Sequence, residues 1–558
     1  MYELSRIPTT AQLRALEAAW IKACHNDWGL VLMEAAGLQA AHQAELFVKA
    51  NAVTAGPVVI VCGRGNNGGD GLVVARHLQR QHIPLSIYMV GGTGKDASSH
   101  SESAINKKII ENCAGLTIHY FDEDSLEGLE EAIDRSSLVV DALLGTGLDR
   151  DVKGAYAEAI AIINSSGKPV LAIDLPSGID SDRGQIMGDA VAADLTVTFG
   201  YLKAGLLHYP GAQHAGVIRV VDIGLPSINM PPPALDDLSP QLASPQWWLA
   251  THAHVRNWLP YRPPDGHKGT FGKVLAIAGS LGMTGAPMLA CRTVLRSGAG
   301  YVILATPKVV VEHLPPEEIV YLPLDATTSG GIDLSAWQQL QEQLADAQAV
   351  LIGPGLGAEK ATVDLVERLL SQIDKPCIVD ADGLNAIAKS KGLKLKTAEN
   401  FVFTPHPKEL ERLTGTKVAE IQADRVAAAT AACEKFGCNI VLKGAHTVVA
   451  TPTEGVYIIP TGNSGMATPG AGDVLSGVIA ALLAQGMHPS YAAVAGAYIH
   501  GAAGDCAADL LGEDGVVASD ITQFVSHVIA EIRDGQMSGR DIEQEVLGLG
   551  EQPERNEN

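Results

Sequence analysis

Short apolar segments that end on glycine or aspartate alternate with helical patterns along most of this 558-residue chain. Before residue 225, the segments Pro57–Cys62, Leu85–Val90, Leu138–Asp141, Val170–Asp174, Leu195–Phe199 and Val217–Val221 read as strands, and Asp70–Gln81 and Tyr156–Asn164 as helices. That rhythm predicts a parallel sheet with helices on both faces. After residue 248 it resumes, with strands at Val274–Ala278, Tyr301–Ala305, Ala349–Ile352, Cys377–Val379, Ile440–Leu442 and Thr447–Ala450. The expectation is an α/β protein of two doubly wound domains, the N-terminal one a Rossmann-like three-layer unit.

A seam separates them. Pro226, Pro231, Pro232, Pro233, Pro240 and Pro245 fall in a stretch with little periodicity, which suits a stiff connector. The expected domains are therefore 1–225 and 249–535, with 226–248 as linker and 536–558 as a polar tail. A net charge of −23 argues against nucleic acid and anionic membranes as partners. It also means that any phosphate must be gathered by local devices: helix N-termini, placed lysines or bound cations. Eight scattered cysteines without a CxxC pair point to a reducing compartment. Met1–Trp20 has no secretory layout, and no apolar run is long enough to cross a bilayer. A cytoplasmic enzyme that forms a homo-oligomer and has small-molecule substrates is expected.

The segment Gly462-Asn463-Ser464-Gly465-Met466-Ala467-Thr468-Pro469-Gly470-Ala471-Gly472-Asp473 runs directly into the apolar stretch Val474–Leu483. Glycines followed by a helix start make a cup of N–H donors at the positive end of a helix dipole, which suits phosphate. An aspartate at that rim makes sense if Asp473 accepts the proton of a hydroxyl attacking phosphorus; a Gly-rich turn with a capping Asp is the structural alternative. Other strand ends could join it. Lys443 opens Lys443-Gly444-Ala445-His446-Thr447, Gly353–Gly357 forms another glycine loop, and His406 lies between two prolines. Asp380 and Asp382 offer carboxylates suited to Mg²⁺, whereas Asp505 and Cys506 sit in an Ala-rich helical stretch with no evident partner.

Toward the N-terminus, Gly63-Arg64-Gly65-Asn66-Asn67-Gly68-Gly69-Asp70-Gly71 follows a strand and opens a helix, the context of a phosphate-binding turn. Asp141 and Asp174 each end a strand before a small-residue loop, Leu143–Gly147 and Leu175–Gly178. Strand ends of one open sheet bring Asn67, Asp141, Asp174 and Ser177 together. They supply oxygen ligands for a hard monovalent or divalent cation and one candidate acid/base. Each alone could be a turn residue or a cap.

GRGNNGGDG, DALLGTG and IDLPSGID resemble the epimerase domain of the nicotinamide nucleotide hydrate repair enzymes. The resemblance implies that Asn66, Asn67, Gly68, Gly69 and Asp70, together with Gly145, Thr146, Gly147, Leu148, Asp149, Arg150, Asp151 and Tyr156, contact the hydrated nucleotide. It implies Asn67, Asp141 and Ser177 as K⁺ ligands and Asp174 as the substrate-binding acid/base; Ile179 and Arg183 depart from the pattern outside these contacts. The GxGD segment resembles the ribokinase superfamily. With HKGTFGKVLAIAGS, TGAP, GPGLG, DADGLN, TPHPKEL and KGAHT it is similar to the ADP- or ATP-dependent nicotinamide nucleotide hydrate dehydratases. There the resemblance implies hydrate contacts at Ala286, Gly355, His406 and Asp473. It also implies AMP, ADP or ATP contacts at Lys443, Gly444, Ala445, His446, Thr447 and Gly472. Pro469 departs from a usual small residue, removing one N–H while leaving those of Gly470 to Asp473.

The two resemblances imply a bifunctional enzyme that restores hydrated NADH and NADPH, with K⁺ in the first domain and Mg²⁺ in the second. The first would interconvert the R and S hydrates; the second would phosphorylate the C6 hydroxyl of the S form and eliminate phosphate. The alternatives are a ribokinase-like kinase of a vitamin-precursor alcohol with a regulatory N-terminal domain, or an N-terminal module that binds without catalysis.

Overall fold

In a computed structural model, residues 5–24, 28–50, 56–91, 101–121, 126–229, 242, 244–390 and 393–535 are described. Most of the Pro-rich connector (230–241 and 243) and all of the polar tail lie outside them. The chain divides into two compact units, one ending at Trp247 and the next beginning at Trp248.

In the first unit, Val58–Cys62 (β1), Leu85–Val90 (β2), Ile118–Phe121 (β3), Leu138–Ala142 (β4), Val170–Ile173 (β5), Leu195–Phe199 (β6) and Val217–Val221 (β7) form one sheet ordered β3-β2-β1-β4-β5-β6-β7. Every neighbouring pair is parallel. All five residues of β1 are buried, because a strand between two helical layers has no wet face. Its alternation divides the core. Val58, Ile60 and Cys62 pack with Leu32, Ala36 and Ala40 of the helix Trp28–Ala50 and with Leu72 and Ala75 of Asn66–Arg80. Val59 and Val61 pack with Leu129, Ile133, Ala159 and Ile163 on the opposite side. The strand order reverses between β1 and β4, so the crevice for a ligand opens above the carboxyl ends of those two strands.

The second unit contains Lys273–Ile277 (β8), Tyr301–Pro307 (β9), Val320–Leu324 (β10), Ala349–Ile352 (β11), Cys377–Val379 (β12), Phe401–Phe403 (β13), Asn439–Leu442 (β14), Val448–Thr451 (β15) and Gly455–Ile458 (β16), ordered β16-β15-β14-β13-β12-β11-β8-β9-β10. Pairing is parallel from β14 through β10, while β15 and β16 join antiparallel. The apolar helices Ala471–Ala484 and Pro489–Leu511 supply much of its core. Both units are doubly wound α/β domains.

Among the strands that escape a reading of apolar runs are β3, β10 and β16. β3 and β10 close an end of their sheets, are partly exposed and carry His119 or Pro323, so neither shows a continuous buried pattern.

Candidate active sites

The loop after β1 turns at Gly63–Gly65 and enters a helix at Asn66, four residues before the Asp70 start that periodicity suggests. Gly68 makes that early start feasible: a β-carbon there would lie 1.8 Å from the Gly63 carbonyl oxygen. Asn67 is thereby drawn inside, 7% exposed, with neither side-chain oxygen nor nitrogen hydrogen-bonded to a protein group. A buried amide without partners costs free energy unless something fills its valence. Beside it, a β-carbon at Gly145 would lie 3.3 Å from Asn67 Oδ1. At the end of β4, the buried Asp141 accepts from Ser177 Oγ (2.6 Å), Ser177 N (2.8 Å) and Leu143 N (3.2 Å). Ser177 Oγ also lies 3.1 Å from the Leu144 carbonyl. Burial raises the Asp141 carboxyl to about 6 against the pull of these hydrogen bonds.

These loops line a cavity of about 670 Å³, a volume usual for a nucleotide-sized ligand. Asn66, Asn67, Asp70, Gly145, Thr146, Gly147, Leu148, Tyr156 and Asp174 face it. Gly68 and Gly69 pack inward, Gly69 against Met33, and the exposed Asp149, Arg150 and Asp151 lie outside its lining. Asp174 takes a left-handed backbone (φ 68°), which Asp tolerates better than most residues. Its carboxylate meets Lys203 Nζ at 2.6 Å, and the same ammonium donates to the Phe199 carbonyl at 2.8 Å. Lys203 is 3% exposed and lines the cavity.

Motif reading missed Lys203 and Glu17. A lysine among apolar neighbours just past a buried strand was the available signal for Lys203. Glu17 reaches the cavity from the helix Thr10–Ala23, which precedes every glycine loop. Burial and the nearby Asp174 carry the Glu17 carboxyl to about 7, with Lys203 opposing. Asp70 is pushed well above the ordinary carboxylate range by burial, then by Asp174 and Glu17.

In the second unit, the loops after β8, β11, β12, β13 and β14 leave the same edge of the sheet. Ala286 is the second residue of the helix Gly285–Arg296, and a β-carbon at Gly355 would stand 3.6 Å from its own. The helix Ala471–Ala484 starts behind Gly470, whose φ of 92° suits only glycine, and Asp473 lies in its first turn. Ala471 N donates to the Thr468 carbonyl at 3.3 Å, whereas the amides of Gly470, Gly472 and Asp473 donate to no protein group among the described residues. Of the four amides that follow Pro469, one is thus used internally.

Lys443 Nζ would lie 3.3 Å from a β-carbon on Gly472 and pairs with Asp380 Oδ1 at 2.8 Å. Ser476 Oγ donates to the other Asp380 oxygen at 2.7 Å. Burial alone would raise Asp380, but Lys443 and these hydrogen bonds hold its carboxyl below the ordinary range. Asp473 goes the other way: burial, then Asp380, lift it to about 7, with Lys443 opposing and Asp382 and Glu409 adding. Of the four non-glycine residues with positive φ among those described, Asp174, Ala381 and His446 lie on these site loops.

Other side chains there are engaged in ways that local sequence does not reveal. His406 caps the helix Pro407–Thr414, its Nδ1 accepting from Lys408 N (3.1 Å) and Glu409 N (3.4 Å), while its ring remains half exposed beside the cup. Asp382 accepts from Gly357 N at 2.9 Å, fastening two site loops together. Asp380 is thus paired with Lys443 and Asp382 with the Gly357 amide. Among the described residues no three His, Cys, Asp or Glu side chains gather as a metal-holding group. Asp505 does have partners, contrary to expectation: it is 4% exposed and accepts from Gly462 N (2.9 Å) and Asn463 Nδ2 (2.8 Å). Those residues lie 43 and 42 positions away in sequence, which hides the pairing. Thr447 Oγ1 donates to the Gly444 carbonyl at 2.9 Å and closes the loop that starts at Lys443.

Comparison with known proteins matches both halves. Residues 29–205 match the family described as YjeF-related protein N-terminus, and residues 274–526 match NAD(P)H-hydrate dehydratase. The bifunctional NAD(P)H-hydrate repair enzyme of Moorella thermoacetica is 39% identical over 93% of this chain and 95% of its own length. That of Escherichia coli is 36% identical, covering 84% of each. The structure of the ADP/ATP-dependent NAD(P)H-hydrate dehydratase from Bacillus subtilis, crystallised with ATP and Mg²⁺, is 32% identical and covers 51% of this chain and 98% of its own, with a TM-score of 0.44.

Proposed function

This chain belongs to the bifunctional NAD(P)H-hydrate repair enzymes, and from that membership we infer how its two sets of side chains divide the work. The protein epimerises the R and S hydrates of NADH and NADPH in its N-terminal domain. It dehydrates the S hydrate in its C-terminal domain at the expense of ADP or ATP.

The chemistry explains the need for a phosphoryl donor. The hydrate carries a hydroxyl on C6, and hydroxide leaves poorly at neutral pH. The hydroxyl oxygen attacks the terminal phosphorus of the nucleotide. Its proton passes to Asp473, the new O–P bond forms, and AMP (or ADP from ATP) departs. Phosphate then leaves C6 with the C–O electron pair, a proton is lost from C5, and the C5–C6 double bond of the dihydronicotinamide returns. The amides of Gly470, Gly472 and Asp473, with the Lys443 ammonium, would stabilise the charge on the transferring group. Asp473 carries this reading, because a carboxyl raised to about 7 beside unsatisfied amides is suited to take a proton near neutrality. Ala286, Gly355 and His406 would hold the hydrate and Lys443–Thr447 the nucleotide. Mg²⁺ would arrive with the nucleotide phosphates and neutralise their charge.

In the first domain, Asp174 moves the substrate proton and Lys203 orients it. Asn67, Asp141 and Ser177 would hold K⁺, and the unsatisfied Asn67 amide fits that assignment. A bound K⁺ would supply the charge that fixes the loop Leu143–Gly147. The eight free thiols suit a cytoplasmic setting. The decisive assay mixes the purified protein with hydrated NADH, ADP, Mg²⁺ and K⁺. Recovery of the dihydronicotinamide absorbance with release of inorganic phosphate is expected. A stable phosphorylated product would favour a simple kinase instead.

A further inference from the structure

Next to the first cavity, Arg64 adjoins Tyr156, which lines it. Arg64 lies in the turn between β1 and its helix, with its side chain exposed. Its backbone N–H donates to Tyr156 Oη at 3.3 Å, and its Nη1 approaches the Gly91 carbonyl at 3.4 Å. Gly91 immediately follows β2 and has a φ of 98°. A β-carbon there would press to 3.1 Å from Arg64 Cδ and 3.6 Å from the Tyr156 ring. The guanidinium therefore stands at the carboxyl end of β2, beside an aromatic ring that lines the cavity.

That position has a general meaning in doubly wound sheets. A dinucleotide lies across the reversal of strand order, with its pyrophosphate at the helix after β1 and its adenosine ribose at the end of β2. Here the reacting side is marked by Asp174 and Lys203 at the ends of β5 and β6, which leaves the end of β2 for the adenosine. A carboxylate there would bind a free ribose 2′-hydroxyl, whereas an arginine accommodates a 2′-phosphate through charge-assisted hydrogen bonds. In a chain with net charge −23, one guanidinium at this rim weighs heavily on a dianionic group.

We propose that Arg64 reads the 2′-phosphate, so that the N-terminal domain epimerises the hydrate of NADPH in preference to that of NADH; this rests on the epimerase reading above. The test uses the full chain without nucleotide, so that dehydration does not intervene, and follows the exchange of separated R and S hydrates by chromatography. The quantity compared is the ratio of kcat/KM for the NADPH hydrate to that for the NADH hydrate. Arg64→Gln is expected to lower this ratio by about tenfold, Arg64→Lys to restore part of it, and added salt to diminish the difference. Partial unfolding would scale both substrates alike and leave the ratio unchanged. An unchanged ratio in a variant with normal thermal stability overturns the assignment of Arg64. Failure of the unmodified chain to exchange either hydrate overturns the epimerase reading itself.

Discussion

Asp473 and Asp174 are both aspartates at the start of a loop or helix, but one is crowded by other carboxylates and the other is paired with an ammonium. Asp473 is buried, is crowded by Asp380, Asp382 and Glu409, and holds its proton up to about pH 7. It works as a base only when ionised, so kcat/KM for dehydration is expected to rise with pH through an apparent pKa near 7. Asp473→Asn should lower the rate on the order of 10²–10⁴-fold. The same shift has a stability consequence. Below pH 4 both folded and unfolded states hold this proton, so the group contributes nothing. As pH rises toward 7 only the unfolded state releases it, and the native state loses stability. Thermal denaturation should therefore show Asp473→Asn gaining on the unmodified chain as pH rises from 4 to 7, with no further gain above. Asp174, in contrast, has its counter-charge at 2.6 Å in Lys203, both largely buried. Lys203→Met leaves that carboxylate unpaired, and a loss of about 3–5 kcal/mol is expected in denaturant unfolding of the first unit, together with loss of epimerisation.

At the scale of elements, glycine content was a misleading guide to where helices begin. Asn66–Asp70 looks like loop, yet it forms the first turn of a helix because Gly68 lets that turn pass against the Gly63 carbonyl. Gly68→Ala should lower the thermal midpoint of the first unit and abolish epimerisation while ADP-dependent dehydration persists. The loop that feeds the anion cup has a brace of its own. Asp505, on the helix Pro489–Leu511, fastens Gly462 and Asn463 from more than forty residues away. Asp505→Ala leaves the Gly462 amide and the Asn463 side chain without this acceptor. Hydrogen exchange is expected to quicken at residues 462–466, dehydration to slow, and epimerisation to be unaffected. No local pattern predicts such a brace, because an aspartate in an Ala-rich helix is informative only once its distant partner is known.

For the whole molecule, two compact units carry two reactions that share a substrate. A mixture of R and S hydrates with excess ADP should be consumed completely by the intact chain. Asp174→Asn should consume the S fraction at the normal rate and then slow to the uncatalysed exchange of the remainder, measured by absorbance and by chromatography of the residual hydrate. Prompt and complete consumption by that variant would show that the second site accepts both configurations, and the division of labour would fail.

The linear order of residues determined what backbone chemistry alone dictates. Apolar runs between turn residues become strands, glycine-rich strand ends become tight turns, and carboxylates at strand ends fall on one edge of a parallel sheet. Asp473, Asp174, Asn67, Asp141 and Ser177 could be named on those grounds and on the motifs around them. Tertiary structure decided which charges face one another. It placed Lys203 against Asp174, Lys443 between Asp380 and the Gly472 turn, Glu17 on the wall of a cavity built from later loops, and His406 as a helix cap. The reason is physical: proton affinity and ion pairing depend on distance and burial in three dimensions, and neither is a function of separation along the chain.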